Sequence, residues 1–276
     1  EQLVIAMKTW REVRVMALVY LVILVLMMVP AVLVWPSLHA DLQRPSAMLQ
    51  AFGRMGEFLG RAVDAMRNPD EDIAYLSYMA LQLFFKGANV AGIAAAVLLG
   101  TGLFAREREA MTFEFLLSRP VSRGSLLWQK VWPCALVVVL PIFVTSLVAV
   151  PMSAAIGFGL PLGPLLWCSL HNSLFVLVVL QLTVLASLQC RVQAHAAFAI
   201  GGFVIVNLAM YFIPTVRVVS LFRLSDFDWY GPIMAGNRGA AELFDPLRHA
   251  GLSTWLVLAL GLLYAYTHHR LTRLEL

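Results

Sequence analysis

Charge is scarce in this chain. Only 13% of its 276 residues are Asp, Glu, Lys or Arg, whereas 61% are hydrophobic. Soluble domains carry about a quarter charged residues and under half apolar ones, so that class is excluded. Cysteine is nearly absent too. Cys134, Cys168 and Cys190 fall in or at the ends of apolar runs, the first and third toward one membrane face and the second toward the other. Buried, inert thiols are expected rather than a disulfide framework. Recognisable reaction chemistry is also missing: no Gly-x-x-x-x-Gly-Lys-Ser/Thr phosphate loop, no His-Glu-x-x-His, no Gly-x-Ser-x-Gly and no Cys-x-x-Cys. His268 and His269 are adjacent, so on a helix they point about 100° apart and do not suit one metal. No catalytic, cofactor or metal site is expected.

What the chain does have is apolar residues in blocks. Crossing a bilayer as helix takes about 20 of them. Six blocks qualify: 15–35, 84–105, 131–150, 164–188, 195–214 and 251–267. The run from Val15 to Trp35 exceeds the roughly 7–15 residue core of a signal peptide, so it reads as a span, closing at Pro36. Ahead of it, Leu3, Ala6, Met7, Trp10 and Val13 recur at helical spacing, opposite Lys8, Arg11 and Glu12. Residues 1–14 are therefore expected to form an interfacial helix in the headgroup plane; the alternative is an N-terminal extension of the first span. Leu49, Phe52, Leu59, Val63 and Met66 mark an amphipathic stretch in the polar region 37–75.

Asn68-Pro69-Asp70-Glu71-Asp72 reads as a helix start, with Asn as cap and acids at the positive end of the dipole. The following helix meets no breaker before Ala105, and it places Lys86 at the far interface, where its ammonium can snorkel. Ala88, Gly92, Ala96 and Gly100 form a ridge for close helix approach. Pro133, Pro141 and Pro151 punctuate the third span, with Pro141 expected to kink it.

Basic residues set the orientation. The termini, 105–130 and the turn at Arg191 hold eleven Lys and Arg and a net charge of +5, against eight and −2 for 37–75 plus 215–250. The positive-inside rule makes the first set cytoplasmic. The fold expected is an all-α polytopic membrane protein forming a single six-span domain over 1–276. It has an N-terminal interfacial helix, an inner segment between spans 2 and 3 and both termini inside, and 37–75 and 215–250 lie outside.

That inner segment, Arg106 to Lys130, is densely charged. A helix over 107–117 would put Ala110, Phe113 and Leu117 on one face and Glu107 with Glu114 on the adjoining one; Pro120 would end it, and Ser122 could cap the next helix. Glu107-Arg108-Glu109, Thr112, Glu114, Leu116-Leu117-Ser118, Arg119-Pro120-Val121-Ser122-Arg123 and Lys130 resemble the signature between the second and third spans of ABC-2 type permeases, membrane subunits of ATP-binding-cassette transporters. That family usually has Gly before the Thr, where this chain has Met111, and the departure bears on the backbone turn there.

The resemblance implies a coupling helix that docks in a groove on a separate ABC ATPase subunit. Glu107, Arg108, Glu109, Thr112, Phe113, Glu114, Leu117, Arg119, Pro120 and Arg123 would be its coupling residues. ATP and Mg would be bound by the partner and not by this chain. A second permease copy, a homodimer, an export function and a plasma membrane of the bacterial inner type are implied likewise, with no nucleic-acid partner. Among the few polar residues in spans, Gln181 and Asn207 are candidates for a substrate path; bonding to neighbouring helices is the alternative. Sparse charge in the spans favours a hydrophobic or amphiphilic cargo. A module that passes ATP-driven motion to an outer-face partner without transport is the rival reading.

Overall fold

The computed structural model describes residues 4–44, 57–113, 121–236 and 246–273, and every described element is helical. Among the described residues, five helices are long and apolar enough to cross a membrane: Ile5–Leu42, Glu71–Glu109, Arg123–Ala155, Leu162–Gln189 and Gln193–Phe212. The sixth predicted span lies within a further helix, Pro246–Thr272, which is not among those five.

Helix α1 (Val4–Leu42) is continuous through Pro30 and Pro36. Two expectations are corrected here. Residues 4–14 extend the first span rather than forming a separate interfacial helix, with Ile5, Ala6, Thr9 and Val13 buried and Met7 and Trp10 exposed. Nor does Pro36 close the helix, because the turn around it is clamped. Trp35 is fully buried against Tyr78, Tyr75 and Phe158 at ring distances of 4.8, 5.5 and 6.4 Å, and Tyr78 Oη donates to the Ala31 carbonyl at 3.0 Å. At about 1.5 Å per residue, this helix overreaches a ~30 Å hydrocarbon layer.

A short amphipathic helix, α2 (Glu57–Met66), buries Phe58, Ala62 and Met66; Leu49 and Phe52 lie outside the described residues. The helix that carries the second span starts two residues later than expected. Asp70 is the cap, its Oδ1 accepting from the Asp72 and Ile73 amides, while Asn68 Oδ1 accepts from Asp70. The span runs as α3 (Glu71–Ala80), a π-helical segment (Leu81–Asn89) and α4 (Val90–Gly102). In the π segment a Cβ on Gly87 would sit 2.7 Å from the Gln82 carbonyl oxygen, so that turn needs glycine. The small-residue ridge packs as expected: a Cβ on Gly92 would lie 3.0 Å from Val176, and one on Gly100 2.8 Å from Thr183. Lys86 is exposed.

The span ends at Gly102, and a short helix, α5 (Ala105–Glu109), follows. Helix α6 (Arg123–Ala155) carries all three prolines and runs beyond Pro151. Its cap is Ser122, whose hydroxyl accepts from the Ser125 amide at 3.2 Å, as the sequence suggested. Helices α7 (Leu162–Gln189) and α8 (Gln193–Phe212) follow, then 3-10 turns, α9 (Phe227–Ala235) and α10 (Pro246–Thr272). Helix α7 is central, packed by α4, α6, α8 and α10. The three cysteines are free.

Candidate functional site

At its C-terminal end the second span does not run straight into α5. The chain turns at Leu103 and Phe104, and a residue from another helix caps the new start. Ser187 Oγ accepts from the Phe104 and Ala105 amides at 3.1 and 2.9 Å and donates to the Thr101 carbonyl at 2.8 Å. Those are N-terminal donors that the short helix could not satisfy itself.

The other end of α5 closes in a left-handed turn. The Thr112 amide donates to the Glu107 carbonyl at 2.9 Å and the Met111 amide to the Arg108 carbonyl at 3.0 Å, while Met111 has φ of 56°. This is the Schellman pattern, whose left-handed residue is usually glycine. Met111 occupies it with 79% of its surface exposed. A continuous helix over 107–117 is therefore corrected: it breaks at 110–112. Ala110 and Phe113 do not share a face, Ala110 being exposed and Phe113 buried edge-on to Phe104 at 6.2 Å.

The charges within the turn divide by direction. Glu107 turns inward to a 2.6 Å ion pair with Lys130 of α6, their side chains 18% and 6% exposed. Lys130 also donates to the Leu103 carbonyl at 2.8 Å and lies 5.3 Å from the Phe104 ring centre. One side chain thereby fastens the end of the second span to the start of the third. Arg108 covers Phe113 at 4.9 Å. The exposed Glu109 accepts the Gln193 amide at 3.2 Å, which ties in the turn before α8. Thr112 is exposed, its hydroxyl donating to the Glu107 carbonyl at 3.2 Å. Arg123 is half-buried, with Nη1 lacking a hydrogen-bond partner. Glu114, Leu117, Arg119 and Pro120 lie outside the described residues.

The opposite end of the bundle is built differently. Asn172 Nδ2 donates to Asn89 Oδ1 at 2.6 Å and to Tyr230 Oη at 3.0 Å, and Asn89 Nδ2 donates to the Ser225 carbonyl at 3.0 Å. His171 stacks on Trp229 at 3.7 Å and bonds the Leu224 carbonyl and Ser253 Oγ. Asp226 takes hydrogen bonds from Tyr211 and Arg217, and Arg217 reaches Asp228 at 3.0 Å. Burial raises the Asp226 carboxyl above the ordinary carboxylate value, partly offset by the Tyr211 hydrogen bond and the charge of Arg217.

Both candidate path residues are bonded within the chain. Gln181 donates to Thr267 Oγ1 at 3.1 Å, and Asn207 Oδ1 accepts the Leu221 amide at 2.9 Å. Sequence reasoning missed Ser187 and the role of Lys130. For Lys130 a signal existed, since a cation at the head of an apolar span needs an acid nearby. Ser187 gave none, because a serine in a span usually bonds its own preceding turn.

A family model described as ABC-2 family transporter protein matches residues 3–233. No curated protein matches the chain.

Proposed function

The chain belongs to the ABC-2 transporter family, and from that premise we propose that it is a permease worked by a separate ATP-binding subunit docking on the inner segment 105–123. Family membership makes the chain a multi-pass membrane transport component without its own ATPase site; ATP and Mg belong to the partner. The observation that carries the docking proposal is the two-sidedness of 105–113. Glu107 and Phe113 point into the bundle, whereas Glu109, Met111 and Thr112 point out. A load applied to the exposed turn passes through Lys130 to the third span and through Ser187 to the fourth. In this reading Glu107 acts from within as a strut, and the outward residues with Arg123 touch the partner.

The further elements of the reading are a sixth span, inner termini, two copies around a path and export of an amphiphilic cargo, in a plasma membrane of the bacterial inner type. Helix α10 supports the sixth span, because it reaches from Ser253 beside His171 to His268, whose Nε2 would be 3.1 Å from a Cβ on Gly124. Helix α8 leaves Phe198, Phe203 and Ile205 exposed, a face for lipid or the second copy. Gln181 and Asn207 serve as helix ties beside the path. The outer cap favours the rival reading, a module that hands motion to an outer partner, since it offers a firmly held platform there.

The test places a single cysteine at Met111 in a Cys190→Ser background, Cys134 and Cys168 being buried. A membrane-impermeant thiol reagent should label it from the inner side only, and a short cross-linker should join it to the co-expressed ATPase subunit. Labelling from outside, or no cross-link in an assembled complex, refutes the docking.

A further inference from the structure

The turn between α7 and α8 lies against α5 and the end of the second span. Glu109 accepts the Gln193 amide at 3.2 Å, and a Cβ on Gly102 would lie 3.6 Å from Gln193 Nε2. Residues 108–112 and 190–193 therefore present one surface, although Glu109 and Gln193 stand 84 residues apart in the chain. Arg108 and Arg191 both belong to it, the first half-buried and the second exposed. They are close enough to act on each other: burial, and after it the charge of Arg191, holds the Arg108 guanidinium below its ordinary value.

Nothing on this surface neutralises the pair. The acids of α5 are engaged elsewhere, Glu107 with Lys130 and Glu109 with the Gln193 amide. Neither guanidinium has an ion pair or a hydrogen bond among the described residues. Arg108 meets the Phe113 ring at 4.9 Å, a stacking contact that uses the face of the guanidinium and leaves its N–H edge. Two like charges held together are unfavourable for the chain alone. An anion shared between them reverses that sign, and the planar fork of arginine fits a carboxylate through two parallel hydrogen bonds. The neighbouring Met111 is exposed, and Met and Arg together are typical of protein interfaces. Anionic-lipid sites gather roughly four to eight basic residues, more than this pair supplies.

We propose that Arg108 and Arg191 together clasp a carboxylate of the ATPase subunit, so that the partner docks on two loops at once and not on 105–123 alone. The inference rests on the docking proposed above, and the Glu109–Gln193 bond is what brings the α7–α8 turn inside the same footprint. A load arriving at Arg191 reaches the fifth span directly, since α8 starts at Gln193.

The experiment uses the full chain and its ATPase subunit, purified separately, and measures their affinity at low and high salt. Arg108→Gln and Arg191→Gln should each weaken binding about tenfold and flatten its salt dependence. The double variant should lose less than the product of the two, because one carboxylate serves both. Without the ATPase, Arg191→Gln should melt higher than the parent chain, since a repulsion is gone, whereas loss of a merely structural arginine would lower the melting temperature. Arg191→Cys in the Cys190→Ser background should cross-link to an acidic segment of the ATPase. Unchanged affinity in both single variants overturns the proposal, as does a cross-link to a segment without Asp or Glu. Reduced retention of phosphatidylglycerol by the ATPase-free variants, with ATPase affinity intact, would assign the pair to lipid and overturn it as well. The Met111 cross-link separates the two readings. If it forms while both arginine variants bind normally, only the clasp fails; if it does not form, the docking fails and the clasp with it.

Discussion

The two ends of this bundle are held by opposite means. At one end, Asn89, Asn172, Ser225 and Tyr230 interlock, with His171 on Trp229 beside them and Tyr211, Asp226 and Arg217 closing the edge. The hold there is shared among many groups, each contributing about 0.6–2 kcal/mol. At the other end, Lys130, Ser187, the Glu109–Gln193 bond and a left-handed turn carry 103–112. Shared bonding resists any single loss and makes a stiff cap. Concentrated bonding leaves a short segment dependent on a few fastenings, which suits the proposed docking.

That contrast predicts that the costliest single change lies at the sparsely held end. Lys130→Met strands a mostly buried carboxylate, and we expect a loss of about 3 kcal/mol with ATP hydrolysis uncoupled from transport. Adding Glu107→Gln should recover much of the stability, since removing both partners avoids the unpaired charge. Thermal unfolding of the three variants in detergent checks this, and a double variant no more stable than Lys130→Met would contradict the strut. Asn172→Leu should cost less, about 2 kcal/mol, because Asn89 and Tyr230 keep Ser225 as a partner. A larger penalty than for Lys130→Met would reverse the contrast.

Just inside the sparsely held end, Gly100→Ala should cost about 1–2 kcal/mol, as its new methyl meets the Thr183 side chain. An unchanged melting temperature would mean that the second and fourth spans are less closely apposed. The smallest effect has the opposite sign. Met111→Gly relieves a left-handed backbone and should stabilise the turn at 110–112 by about 1 kcal/mol. Slower amide exchange at Thr112 in the glycine variant would show it; faster exchange would argue against the turn.

Much of this architecture was legible because bilayer length and apolar runs are coarse signals. The blocks 164–188 and 195–214 fall within two residues of helices Leu162–Gln189 and Gln193–Phe212. Ser122 as a cap and the Gly92–Gly100 ridge follow from local rules of the same kind. The misreadings came where tertiary contacts override a local breaker: Trp35 and Tyr78 carry α1 past Pro36, and a serine from α7 divides the helix at Phe104. Met111 was flagged in the sequence as a departure from glycine, yet the side chain sits in glycine's conformation. Among the coupling candidates, the residue types were readable, but the inward turn of Glu107 was not, since it depends on where Lys130 lies in space.

The π segment at Leu81–Asn89 gives the second span two independent aims. Winding with i→i+5 bonds changes how far each residue turns about the axis, so the helix on one side of Gly87 need not stay in register with the helix on the other. Tyr75 and Tyr78 can thus address Trp35 while Gly92 and Gly100 present their ridge to Val176 and Thr183. A uniform α-helix of the same sequence would have to sacrifice one of those appointments.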